Sequence, residues 1–145
     1  MSDIEQAIAI AVKAHAGQTD KAGQPYILHP LRVMLGMHTP EERIAAVLHD
    51  VIEDCGVTAG ELRAAGFPEV SIEAVEVLTH EPHLSEEEYF RCIRRAAENA
   101  IARRVKRADL EDNLDIRRIA VITERDRVRL NKYKQAVRLL DTAPV

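Results

Sequence analysis

The chain has 145 residues, of which 46% are hydrophobic and 30% charged, with a formal net charge of −4. That length suits one domain with a sizeable core, and that composition excludes a disordered chain. The acidic balance argues against a nonspecific nucleic-acid surface, no apolar run approaches a membrane span, and Cys55 and Cys92 are too few for a disulfide framework.

Apolar residues recur at helical spacing along the whole sequence, and no segment sustains the alternation of a strand, so an all-α fold in one domain over residues 1–145 is expected. Its start, MSDIEQAIAIAV, lacks the basic segment of a secretory signal, so a cytoplasmic protein with free thiols is expected. Ile4, Ala7, Ile8, Ala11 and Val12 mark a first helix that breaks at Gly17. The stretch from Gly17 to Tyr26 carries turn formers and reads as an ordered loop. Pro30 suits the first turn of a helix through Met34, with His29 as a candidate cap. Pro40 opens the next helix and Gly56 ends it; Thr58 and Pro68 each begin another, separated by Gly66. Ser85 and Glu88 form a capping box ahead of Tyr89, Phe90, Ile93 and Ala97. Ile101, Val105 and Ala108 form a further buried stripe, and Leu130, Tyr133, Val137 and Leu140 mark a C-terminal helix.

The most informative segment is PEERIAAVLHDVIEDC, from Pro40 to Cys55. Read as one continuous helix at about 100° per residue, it gathers His49, Asp50, Glu53 and Asp54 on an arc of about 140° opposite Ile44, Ala45, Val47, Leu48, Val51 and Ile52. One imidazole and three carboxylates on a shared face can hold a divalent cation and leave an acid free to handle a proton. The same face also reads as an ordinary solvated acidic stripe. Two other positions add matching donors. His29, in QPYILHP, is directed by the proline that follows it; Asp109, in VKRADLEDN, lies one turn before Asn113. Two imidazoles and two carboxylates suit Mn²⁺, Fe²⁺ or Zn²⁺ with positions left for water and substrate oxygens.

Four blocks in order carry a family resemblance: AHAGQTDKAGQPYILHP from Ala14, AAVLHDVIED from Ala45, VLTH from Val77 and VKRADLEDN from Val105. With them the chain resembles the HD-domain metal-dependent phosphohydrolases. Among those it is similar to the hydrolase domains of RelA/SpoT-type alarmone enzymes and to stand-alone small alarmone hydrolases. The resemblance implies a compact helical bundle that binds one divalent ion, Mn²⁺ favoured and Fe²⁺, Zn²⁺ or Co²⁺ possible, through His29, His49, Asp50 and Asp109. It implies that Glu53 and Asp54 position and deprotonate the attacking water, and that Lys21 and Asn113 meet a nucleotide. The partner it implies is a small nucleotide, best guanosine 3′,5′-bis(diphosphate) losing its 3′ pyrophosphate, with neither nucleic acid nor membrane.

The chain departs from the alarmone pattern on the substrate side. Asp20 stands where those hydrolases carry an arginine that packs on guanine, and Leu114, Asp115 and Ile116 follow Asn113 in place of Met-Arg-Thr. An aspartate there is expected to bring repulsive charge toward a polyphosphate. An HD phosphohydrolase for another nucleotide or phosphorylated metabolite, or a noncatalytic metal- or nucleotide-binding sensor, are the alternatives. His15 reads as a residue supporting the site, while His38, His80 and His83 read as exposed. Arg103, Arg104 and Arg107 read as solvated, with Lys106 available to a phosphate. Met34, Met37, Tyr26, Phe67, Tyr89, Phe90 and Tyr133 read as core filling.

Overall fold

The computed structural model describes residues 3–144; Met1, Ser2 and Val145, part of the expected 1–145 domain, lie outside the described residues. The described residues form helices α1 (Ile4–Ala14), α2 (Leu28–Leu35), α3 (Pro40–Leu48), α4 (Val51–Cys55), α5 (Ala59–Ala64), α6 (Glu69–Leu78), α7 (Glu86–Ala97), α8 (Ala100–Asn113) and α9 (Glu124–Thr142). A 3₁₀ turn at Ile116–Arg118 joins α8 to α9, and the one β-bridge among the described residues, Thr19 with Pro25, pins the loop between α1 and α2. The boundaries follow local chemistry. Thr39, Thr58 and Asn99 accept a main-chain N–H at the starts of α3, α5 and α8, and Ser85–Glu88 closes a reciprocal capping box on α7. Gly56 ends α4 at φ +73°, a conformation that costs glycine nothing.

Helix α3 is the centre of the larger core, packed by α1, α2, α6 and α8. Ile44 through Leu48 are all buried, and Ala7, Ala11, Ala45 and Ala46 are 0% exposed, so small side chains bring α1 and α3 close. A second cluster joins α7, α8 and α9 through Tyr89, Ile93, Leu110, Ala136 and Leu140. Arg103, expected to be solvated, instead donates to the carbonyls of Leu140, Ala143 and Pro144 and holds the end of α9 against α8. Among the described residues no helix is long and apolar enough to cross a membrane.

The continuous helix expected from Pro40 to Cys55 is broken. His49 and Asp50 lie in a turn between α3 and α4. The cause is local: His49 Nδ1–H donates to the Ala46 carbonyl at 2.6 Å, the acceptor that an unbroken helix would present to the Asp50 N–H. The two residues of the HD pair therefore leave the α3 axis where it reaches α2 and α8.

Candidate metal centre

Four segments converge on the break. The α1–α2 loop delivers Tyr26, α2 delivers His29, the α3–α4 junction delivers His49 and Asp50, and α8 delivers Asp109, Asp112 and Asn113. His29 is no helix cap, because it lies inside α2 and is only 5% exposed. Its Nε2 is 2.8 Å from Asp109 Oδ1, and its Nδ1 is 2.6 Å from Asp112 Oδ2. Asp112 is itself gripped by Arg32, whose Nε and Nη2 donate to it at 2.7 and 3.0 Å. A carboxylate behind an imidazole fixes which ring nitrogen faces the site.

His49 Nε2 lies 3.0 Å from Asp50 Oδ2 and 3.6 Å from Asp109 Oδ1, yet it is buried and neither contact has hydrogen-bond geometry. With Nδ1 committed to Ala46, that orphaned Nε2 is a donor atom in want of a Lewis acid. His29, His49 and Asp50 each offer one atom within 4.8 Å of the others, and Asp109 adjoins both imidazoles. The chemistry of this donor set fits a divalent cation.

The electrostatics show how the cluster is balanced by protons alone. Burial disfavours charge on His49, but Asp50 and Asp109 raise its pKa well above the usual histidine value. His29 is raised in the same way against its burial, by Asp109 and Asp112. Burial likewise opposes ionising Asp50, while His49 and the Tyr26 hydroxyl hold its pKa at about 2. Asp109 is pulled well below the carboxylate range against its burial, foremost by Lys106, whose Nζ donates to Asp109 Oδ2 at 2.9 Å. Lys106 is thus occupied within the centre and is not presented to a phosphate.

Glu53 and Asp54, on the first turns of α4, converge with Asp50 so that one oxygen from each falls within 4.8 Å of the others. Glu53 Oε1 accepts the His80 N–H at 3.1 Å, so the VLTH block orients this carboxylate and His80 is half-buried instead of exposed. Burial, followed by the charges of Asp50 and Glu53, pushes Asp54 up to about 6, a value at which a carboxyl exchanges protons near neutral pH.

Tyr26, bonded to Asp50, also lines a cavity of about 340 Å³ together with Asp20, Lys21, Asn113, Arg118, Ile119, Arg129 and Tyr133, among others. Lys21 and Asn113 both line this cavity, and the Asn113 amide also donates to Asp109 Oδ1 at 3.1 Å. Burial, with Arg129 nearby, lowers the Lys21 pKa. Tyr26 is a cavity residue and not core filling, whereas Tyr133 lines the cavity while also packing against the second core cluster. Tyr26 donates its hydroxyl to Asp50 Oδ2 at 2.5 Å, and its ring rests 4.9 Å from that of buried His15. Asp20 is not the free negative charge that was expected. Its Oδ1 accepts the N–H groups of Ala22 and Gln24, and its Oδ2 takes Arg118 Nη1 at 3.3 Å. Tyr26, His80, Asp112 and Arg118 were missed as site residues, and Lys106 was read as a phosphate contact and not as the partner of Asp109; for Tyr26 the signal was its place three residues before His29.

An all-α scaffold that gathers two buried imidazoles and two carboxylates around a helix break, with a carboxylate pair beside them, defines a protein built around a divalent-cation centre. The chain belongs to the HD-domain family, whose model matches residues 7–133. It is 33% identical over 139 residues, 90% of its length, to the guanosine-3′,5′-bis(diphosphate) 3′-pyrophosphohydrolase of Aquifex aeolicus. It is 46% identical over 65 residues, 42% of its length, to the protein of that name from Vibrio cholerae. Over 59 residues, 38% of its length, it is 46% identical to the bifunctional (p)ppGpp synthase/hydrolase SpoT of Escherichia coli. The chain spans 20%, 9% and 8% of those three proteins. Its fold is that of a solved structure described as a metazoan ortholog of SpoT that hydrolyzes ppGpp and plays a role in starvation responses. The TM-score is 0.77 at 23% identity, over 94% of this chain and 84% of that one.

Proposed function

We propose that this chain is a cytoplasmic, Mn²⁺-dependent phosphohydrolase of one HD-type domain, and that it removes pyrophosphate from the 3′ position of guanosine 3′,5′-bis(diphosphate). The observation that carries this reading is the convergence of three parts: the donor set His29, His49, Asp50 and Asp109, the pair Glu53 and Asp54 beside Asp50, and the cavity lined by Lys21 and Asn113, joined to the donor set by the Tyr26–Asp50 and Asn113–Asp109 hydrogen bonds. The names of the relatives support the substrate.

In this reading His29 Nε2, His49 Nε2, Asp50 and Asp109 hold the cation, and the protons that now balance those carboxylates are its alternatives. When bound, a divalent ion supplies Lewis acidity toward water and phosphoryl oxygens. Glu53, held by the His80 N–H, and Asp54 orient the water and receive its proton. The water oxygen bonds to the phosphorus on the 3′ oxygen, the bond between that phosphorus and the 3′ oxygen breaks, and the 3′ oxygen takes a proton as pyrophosphate leaves. Lys21 meets phosphate charge, and Asn113 holds Asp109 while facing the nucleotide.

The test is turnover of Mn²⁺-loaded protein against guanosine tetraphosphate beside a panel of other nucleotides, with Asp50→Asn as control. Pyrophosphate release from the alarmone, absent in the control, is the expected result. Activity confined to other nucleotides overturns the substrate, and tight nucleotide binding without turnover of any panel member replaces the enzyme with a sensor. Tyr26→Phe removes the donor to Asp50 and is expected to weaken Mn²⁺ binding by about 10–100-fold, as loss of a partner behind a ligand does. Calorimetric titration checks this, and an unchanged affinity would deny Tyr26 any part in holding Asp50.

A further inference from the structure

Arg118 reaches the cavity from the 3₁₀ turn after α8, 98 residues away in sequence from the loop aspartate it meets. Its Nη1 donates to Asp20 Oδ2 at 3.3 Å, and its Nη2 donates to the Asp112 carbonyl at 2.7 Å while lying 3.5 Å from Asp112 Oδ2. Its Nε is buried and has no partner. The side chain is 28% exposed and lines the cavity.

That clamping decides what the guanidinium can do. An arginine grips phosphate with the same N–H edges that Asp20 and Asp112 occupy, and two adjacent carboxylates offset its charge. With one N–H of each terminal nitrogen committed and Nε buried, few donors remain for a phosphate, and a guanidinium in that state contacts a ligand best through its planar face, which stacks well on a flat π-system. Tyr133 and Ile119 line the same cavity and add flat or apolar surface, whereas Lys21 makes no direct ion pair among the described residues and remains for an anion. Asp20 is placed to serve this arrangement, since the bonds from Ala22 and Gln24 to its Oδ1 fix the loop and turn Oδ2 to Arg118.

We propose that Arg118 is the specificity residue of this cavity: its guanidinium plane, held edge-on by Asp20 and Asp112, stacks on the base of the nucleotide. This rests on the nucleotide reading above and adds the residue that distinguishes a nucleotide from a sugar phosphate.

The test compares guanosine 5′-monophosphate with ribose 5-phosphate, which has the same phosphate and no base, in ligand-detected NMR titrations. Wild type is expected to bind the nucleotide about tenfold more tightly than the sugar phosphate, the scale of one stacked base. Arg118→Lys keeps the charge and loses the plane; it is expected to erase that preference and leave ribose 5-phosphate binding as it was. Asp20→Asn keeps the loop acceptor, withdraws the carboxylate from Arg118, and is expected to lose part of the preference, which provides the reading if Arg118→Lys does not fold. A lysine variant that keeps the tenfold preference, one that weakens both ligands alike, or a wild-type preference untouched in Asp20→Asn overturns the proposal alone. A wild type with no preference overturns the nucleotide reading together with it.

Discussion

Asp109→Asn is expected to abolish divalent-ion binding and to destabilise the metal-free protein by about 3–5 kcal/mol, the cost of breaking a buried ion pair from one side. Both carboxylate oxygens are engaged. Oδ2 accepts Lys106 Nζ at 2.9 Å, and Oδ1 faces His29 Nε2 at 2.8 Å and His49 Nε2 at 3.6 Å. The amide keeps the shape and removes the charge, so Lys106, with only 18% of its side chain exposed, loses its ion-pair partner where little water can replace it. Chemical denaturation in EDTA reads that loss. Denaturation in Mn²⁺ reads the other half: at about one hundred times its dissociation constant the ion should add about 2.7 kcal/mol to the wild type and nothing to the variant. A variant that Mn²⁺ still stabilises as it does the wild type would remove Asp109 from the donor set.

The residues that meet at the centre were legible because they stand in short, distinctive strings, and the helices because their caps are local. Ser85 with Glu88, Thr39 before Pro40 and Gly56 after Cys55 each act within one turn of chain. Two kinds of feature were not legible. The helix break at His49–Asp50 turns on a side chain competing for the Ala46 carbonyl, and the apolar pattern runs through it unchanged because α3 and α4 both pack on α1 and bury Val47, Leu48 and Val51 across the break. The other kind is the long-range partner. Asp112 holds His29 across 83 residues and Arg118 meets Asp20 across 98, and neither pairing leaves a periodic mark in the sequence. Asp20 is the instructive case. Read alone it is a negative charge in a phosphate cavity; read with Arg118 it is half of an exchange that brings a guanidinium to the cavity from a different element.

Glu53→Gln is expected to keep Mn²⁺ binding and to lower turnover of guanosine tetraphosphate by about 10²–10⁴-fold, the range for removing a positioned proton acceptor. The substitution isolates proton transfer from geometry. Glutamine retains an oxygen for the His80 N–H, which now reaches Glu53 Oε1 at 3.1 Å, so the side chain stays oriented while the group that accepts a proton is gone. It also relieves repulsion among Asp50, Glu53 and Asp54, whose oxygens lie within 4.8 Å of one another, so metal affinity need not fall with the rate. A stopped-assay rate beside a calorimetric Mn²⁺ titration separates the two quantities. Loss of both together would place Glu53 among the residues that hold the ion. Retention of both would assign the proton to Asp54, whose carboxyl, raised to about 6 by burial and by its acidic neighbours, already lies where a base must lie to work near neutral pH.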